Sequence, residues 1–224
     1  MPLNSLIKAI DDFSAPTLDH AAEANHRIAN NLTLIASLIR LQVSHLPDTP
    51  TMPVEEVRGE LSDICGRIEA VGRLHRLLVH AKGQAVVDLS SYLREIGEVT
   101  VSSLVHAERV ALSFDLASGC IVAPKQAVAI GLIVGEAISN SLKYAHPAGV
   151  NGKLQLACEP LDRGIVIEIA DDGVGLPEGF DPMKDGATGC AVSRALATQL
   201  SAKLEFDQMP IGLCVRLTIP QPSN

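Results

Sequence analysis

The sequence predicts an α+β protein: an antiparallel helical hairpin that pairs into a dimeric four-helix bundle, followed by an α/β sandwich. Three observations predict it. Before residue 80, two long segments carry apolar residues at three- and four-residue steps, the period of an amphipathic helix. Beyond residue 105, short runs alternate with period two around two further helical segments, as a sheet covered by helices on one face would require. Gly83 punctuates the two regimes, giving a hairpin domain at 1–83 and a sandwich domain at 84–224.

The first long helix is expected from Thr17, a suitable N-cap, to about Ser44. One ridge carries His26, Asn30, Thr33, Ser37 and Arg40, while Ile28, Leu32, Ile35 and Ile39 fill the opposite side. Pro47, Pro50 and Pro53 prevent either helix from continuing through the connection. In the second helix Val54, Val57, Leu61, Ile64, Ile68, Val71 and Leu78 recur at helical steps. Two helices that each carry a wide apolar face leave a groove between them, which a second hairpin covers in a homodimer.

Asp88-Leu-Ser caps a third helix, expected to reach about Val105. Val110 to Leu116 and Ile121-Val122 read as strands, and Pro124 opens a helix ending at Tyr144. Lys153 to Cys158 and Ile165 to Ala170 form a hairpin around Asp162-Arg-Gly. A helix over about Gly189 to Leu200 and strands at Ala202 to Phe206 and Leu213 to Ile219 complete the sheet.

Composition narrows the function. A net charge of −8 with no basic cluster, and 3% aromatic residues with no Trp, argue against nucleic-acid binding. No apolar stretch approaches the roughly 18 residues needed to span a bilayer, because Lys125 and Glu136 bracket the best candidate. Lys8, Asp11 and Asp12 interrupt any signal peptide, so the expectation is a cytoplasmic protein without membrane insertion. The five cysteines form no CxxC pair and are expected to be reduced thiols.

Four features of the second half suit a nucleotide. Glu136, Asn140 and Lys143, at i, i+4 and i+7, place a carboxylate, an amide and an ammonium on one ridge; the amide oxygen suits Mg²⁺ and the ammonium suits phosphate. Taken alone, this is an ordinary solvated helix face. Asp171-Asp-Gly-Val-Gly175 follows an apolar strand, so its first carboxylate can accept a hydrogen bond from an exocyclic amine such as that of adenine. Gly173 and Gly175 allow close backbone approach. After a polar loop, Gly186-Ala-Thr-Gly189 opens a helix whose unpaired N–H groups favour an anion.

His26-Arg-Ile-Ala-Asn-Asn-Leu32, Arg76-Leu-Leu and Leu89-Ser-Ser-Tyr-Leu-Arg-Glu95 together resemble the sensor histidine kinases, in the subgroup whose phospho-acceptor box begins His-Arg. Glu136 to Ala145 is similar to that family's N box and Asp171 to Gly175 to its first glycine box, which implies a Bergerat-type ATP-binding sandwich. The resemblance implies that His26 takes the γ-phosphoryl group of ATP and passes it to an aspartate of a response-regulator receiver domain. It also implies that Asn140 holds Mg²⁺, Asp171 reads adenine, Lys143 and Tyr144 lie near the phosphates, and Glu136 assists near the metal or the attacking group. Asn30 matches a position that orients water for receiver dephosphorylation.

The chain departs from the family at the second glycine box, where Thr188-Gly-Cys190 and Ser201-Ala202 replace Leu-Gly-Leu and Gly-Gly. The lack of a sensor segment implies input from a separate sensor protein or a relay. Two alternatives follow: a histidine phosphotransferase or receiver phosphatase with a degenerate nucleotide domain, and a non-enzymatic module that binds a receiver.

Overall fold

A computed structural model describes residues 86–102, 109–147, 150–184 and 188–220, with isolated positions at 53, 54, 57 and 72. The chain divides into two compact units, Met1–His80 and Ala81–Asn224. The expected hairpin, with His26 and Asn30, lies outside the described residues, as does Gly186.

In the second unit the elements run β1 (Val87–Asp88), α1 (Leu89–Ser102), β2 (Val110–Leu116), β3 (Ile121–Val122), α2 (Pro124–Tyr144), β4 (Gly152–Leu161), β5 (Gly164–Asp171), α3 (Thr188–Gln199), β6 (Lys203–Gln208) and β7 (Leu213–Pro220). The expected α+β class is what is found. Five strands form a mixed sheet in the order β2-β4-β5-β7-β6, parallel between β2 and β4 and antiparallel elsewhere. The short β1 pairs with β3 in a separate antiparallel ribbon that the sequence did not announce.

Register explains the core. Leu156 and Cys158 of β4 stand opposite Ile169 and Ile167 of β5, which stand opposite Val215 and Leu217 of β7, so one apolar face is continuous across three strands. Asp171 ends that row, opposite Leu154. On the reverse face Arg216 donates to Glu168 at 2.6 Å and to Asp207 at 2.5 Å, a partly exposed network that contributes on the order of 1 kcal/mol.

The helices cover the apolar face. Ala127 through Val134 of α2 are all buried, because this helix is sandwiched between neighbours; the run flagged as the best membrane candidate is a core helix. Pro124 occupies its first turn and Gln126 Oε1 accepts from the Ala123 N–H at 3.1 Å. The buried Tyr92 hydroxyl of α1 donates to the Ala127 carbonyl at 2.8 Å, and Asp88 Oδ1 caps α1 by accepting from Ser90 N–H at 3.2 Å. Among the described residues, no helix is long and apolar enough to cross a membrane.

α3 ends where the sequence departs from a glycine pair. Ser201 takes a left-handed φ of 53°, while its N–H donates to Thr198 O at 3.0 Å and Ala202 N–H to Ala197 O at 2.8 Å. The helix therefore closes as it would with glycine, at a steric cost on the order of 1–2 kcal/mol for the side chain in this region. Ser201→Gly is expected to raise stability by about 0.5 kcal/mol once the greater freedom of glycine in the unfolded chain is subtracted, read as a higher denaturant midpoint at unchanged slope.

Candidate functional site

The geometry is built around Asp171, a carboxylate at the end of the central strand with only 8% of its surface exposed. A buried charge is tolerable only when hydrogen-bonded, and this one accepts three bonds. Ser141 Oγ, one residue after Asn140 on α2, donates to Oδ2 at 2.8 Å. The N–H groups of Gly173 and Leu213 donate to Oδ1 at 3.1 Å and 3.2 Å. A carboxylate has about four acceptor positions, so one remains for an incoming donor.

The loop after Asp171 is fastened to the end of α2. The N–H of Val174 donates to Ala145 O at 2.8 Å, and a Cβ on Gly173 would overlap that same carbonyl. Gly173 is thus required by the helix end packed on it. Asp172 turns the other way and accepts from Lys153 N–H at 2.7 Å and from His146 Nε2 at 2.8 Å. The Lys153 N–H first, and His146 with it, lower its carboxyl pKa from the ordinary aspartate value, against the opposing effect of desolvation.

Gly175 lies in the left-handed region at φ 70°, and its Cα is covered by the carboxamide of Gln208 at the end of β6. The following loop consists of tight turns: Phe180 N–H donates to Pro177 O at 3.1 Å, and Met183 N–H to Asp181 Oδ1 at 2.9 Å. Where α3 begins, a Cβ on Gly189 would overlap the Glu136 carboxylate, so the N-terminus of α3 meets the α2 ridge at that pair. Glu136 and Asn140 are half-buried, whereas Lys143 and Tyr144 are exposed, Tyr144 by 68%.

Amide-bearing ridge, strand-end carboxylate, turn-built loop and helix N-terminus therefore belong to one unit, in that chain order. The sequence pattern of the family described as histidine kinase matches residues 23–104, and that of the histidine kinase-like ATPase domain matches residues 98–219, more than half the chain. The chain belongs to the histidine kinase family.

Similar histidine kinases include the blue-light-activated histidine kinase 2 of Erythrobacter litoralis, 28% identical over 206 residues, covering 89% of this chain and 56% of that protein. The sensor histidine kinase PdtaS of Mycobacterium tuberculosis is 27% identical over 203 residues, covering 88% of this chain and 38% of that one. This chain thus spans little more than half the length of the first and less than half of the second. In fold it is similar to the solved histidine kinase domain of the Erythrobacter litoralis EL346 blue-light-activated kinase, at a TM-score of 0.67 and 22% identity over 97% of this chain and 93% of that one.

Within this member of the histidine kinase family, the residues singled out from sequence fall into two groups. Asp171, Gly173 and Gly175 lie on one loop, and Glu136 meets Gly189; Asn140 shares the Glu136 ridge, with Lys143 and Tyr144 following it. Sequence reading missed Ser141, Asp172, His146, Gln208 and Leu213, which hold the loop. Gly212, at a φ of 80° in the Pro210-Ile-Gly turn, brings the hairpin against Asp171. A cleft of about 550 Å³ lined by Ser90, Ser91, Arg94, Glu95, Glu98 and Leu116 uses none of these residues.

Two outcomes test this geometry. Ser141→Ala leaves Asp171 one donor short in a buried place and is expected to cost about 1–3 kcal/mol, measured by denaturant unfolding. Asp172 has a depressed folded pKa, so its stabilisation is complete above the unfolded value of about 3.9 and is lost as pH falls through the folded value. Asp172→Asn should therefore be less stable than wild type at pH 7, by under about 1 kcal/mol because the group is 40% exposed, with the difference closing as the pH drops below about 4.

Proposed function

We propose that this chain is an ATP-dependent protein-histidine kinase of two-component signalling that phosphorylates His26 and passes the group to an aspartate of a receiver domain. The observation that carries this reading is Asp171: a carboxylate held in place by three protein donors with one acceptor position left for a purine amine. Family membership and the half-buried Glu136–Asn140 ridge support it.

In the proposed cycle, Asp171 accepts from the adenine amine and Lys143, Tyr144 and the N-terminus of α3 receive the phosphates. The ridge fits Mg²⁺, a hard cation that takes an amide oxygen and keeps several waters, with Asn140 as its ligand; bound there, it would neutralise phosphate charge. A neutral His26 ring nitrogen attacks the γ-phosphorus, an N–P bond forms, the P–O bond to ADP breaks, and the ring loses its proton. Glu136 stands at the α3 N-terminus, where its carboxylate can orient the acceptor or the cation. Asn30, four residues after His26, would orient a water that attacks the receiver's phospho-aspartate, breaking its P–O bond and releasing inorganic phosphate. Pairing of two hairpins gives the homodimer in this reading.

A degenerate nucleotide domain is less favoured, because the altered box keeps its backbone work: the retained Gly189 still admits Glu136, and Ser201, in place of a glycine, still closes α3. Incubation with γ-labelled ATP and Mg²⁺ tests the proposal. Wild type should acquire acid-labile, base-stable label, His26→Ala none, and Asn140→Ala less by about 100-fold or more, beyond the loss usual for an outer-sphere metal partner. Label accepted only from a phosphorylated receiver, and never from ATP, would replace this reading with a phosphotransferase.

A further inference from the structure

We infer that Gln208 is a positioning residue for the nucleotide site, acting through the loop that follows Asp171. Gln208 ends β6, outside every motif that the resemblance carries. Its Oε1 accepts from Leu176 N–H at 2.8 Å, while Nε2 donates to Gly212 O at 3.2 Å and to Met209 O at 3.4 Å. One carboxamide therefore ties the exit of the Asp171–Gly175 turn to the β6–β7 hairpin.

That hairpin is the one whose Leu213 N–H holds Asp171 Oδ1, and whose Gly212 lies so close that a Cβ would overlap the Asp171 carbonyl. The amide also covers the Cα of Gly175, which any side chain at 175 would displace. Gln208, Gly212 and Leu213 thus form a clamp with two jaws: one on the carboxylate that would read the base, one on the backbone N–H of Leu176, where the loop begins. Releasing the second jaw frees the loop to swing on Asp171 and leaves the carboxylate aimed by fewer constraints. The Gln208 amide is the component that side-chain substitution can remove without touching Asp171.

This inference rests on the ATP reading above, and the test separates the two. Full-length wild type, Gln208→Met and Gln208→Glu are compared by equilibrium binding of ADP with Mg²⁺ and by amide hydrogen exchange at Leu176 without nucleotide. Methionine keeps the volume and loses both kinds of bond; glutamate keeps the acceptor for Leu176. With a net worth near 1 kcal/mol per hydrogen bond, Gln208→Met should weaken ADP binding about fivefold to tenfold and speed exchange at Leu176, and Gln208→Glu should restore slow exchange. Ile211→Ser, at the 70% exposed hairpin tip, should bind as wild type and controls for general loosening.

Binding by Gln208→Met within twofold of wild type overturns the positioning role. Failure of wild type itself to bind ADP overturns the ATP reading; Leu176 exchange then decides the clamp alone, faster exchange in Gln208→Met supporting it and unchanged exchange refuting it.

Discussion

The buried, hydrogen-bonded side chain of Asp171 is the constraint on which the second unit's organisation depends. It sits at the end of the central strand, on its buried face, where an unpaired carboxylate would cost several kcal/mol. Its three donors come from α2, from the loop it opens and from β7. These segments are far apart in sequence, the Ser141 and Leu213 donors lying 30 and 42 residues away. None of the three can shift without exposing the carboxylate to an unmet demand, so the position of the charge and the packing of helix on sheet are set together.

That coupling changes the meaning of the glycines. In the sequence Gly173 and Gly175 read as places where a ligand approaches the backbone closely. In the structure Gly173 admits the Ala145 carbonyl, Gly189 admits the Glu136 carboxylate, and Gly212 admits the Asp171 carbonyl. Each removes a Cβ where two elements must approach closely, and the loop owes its course to those approaches. A glycine box can then lose members without losing its shape, provided the lost ones stood where a side chain is merely strained. Ser201 is such a case: it accepts a left-handed φ that glycine would adopt freely.

Local periodicity made most of this fold legible. The helix from Pro124 to Tyr144 and the strand from Val110 to Leu116 are found with the bounds that their patterns indicate, since a proline start and an alternating run are read within a few residues. The hairpin strands are longer than the alternation suggested, reaching Leu161 and Asp171, because their mutual pairing runs from Leu154 opposite Asp171 to Leu161 opposite Gly164. The two-residue strand at Val87 and the parallel pairing of β2 with β4 depend on partners more than 30 residues away and have no local signature. For the site, Asp171 and the ridge beginning at Glu136 were visible as residue types at a spacing. Ser141, His146 and Gln208 were not, since nothing in a serine, a histidine or a glutamine says which distant amide or carboxylate it will meet.

The supports around Asp171 are also unequal, and the inequality suits a domain that must admit and release a ligand. On the α2 side, Ser141 and Ala145 belong to a helix packed into the core, so Asp171 and Val174 are held by groups that move only if the helix moves. On the far side, Leu176 is held by one exposed carboxamide, and from Pro177 to Lys184 the chain is stabilised by turn bonds within itself, with Phe180 and Met183 partly in solvent. Free energies of local opening follow such differences in buried contact, so the stretch from Pro177 to Lys184 opens at smaller cost than the turn between Asp171 and Leu176, which α2 and Gln208 hold at its two ends. In the proposed reading, a firmly held Asp171 beside a weakly tethered loop would let recognition of the base and exchange of the nucleotide coexist in one fold.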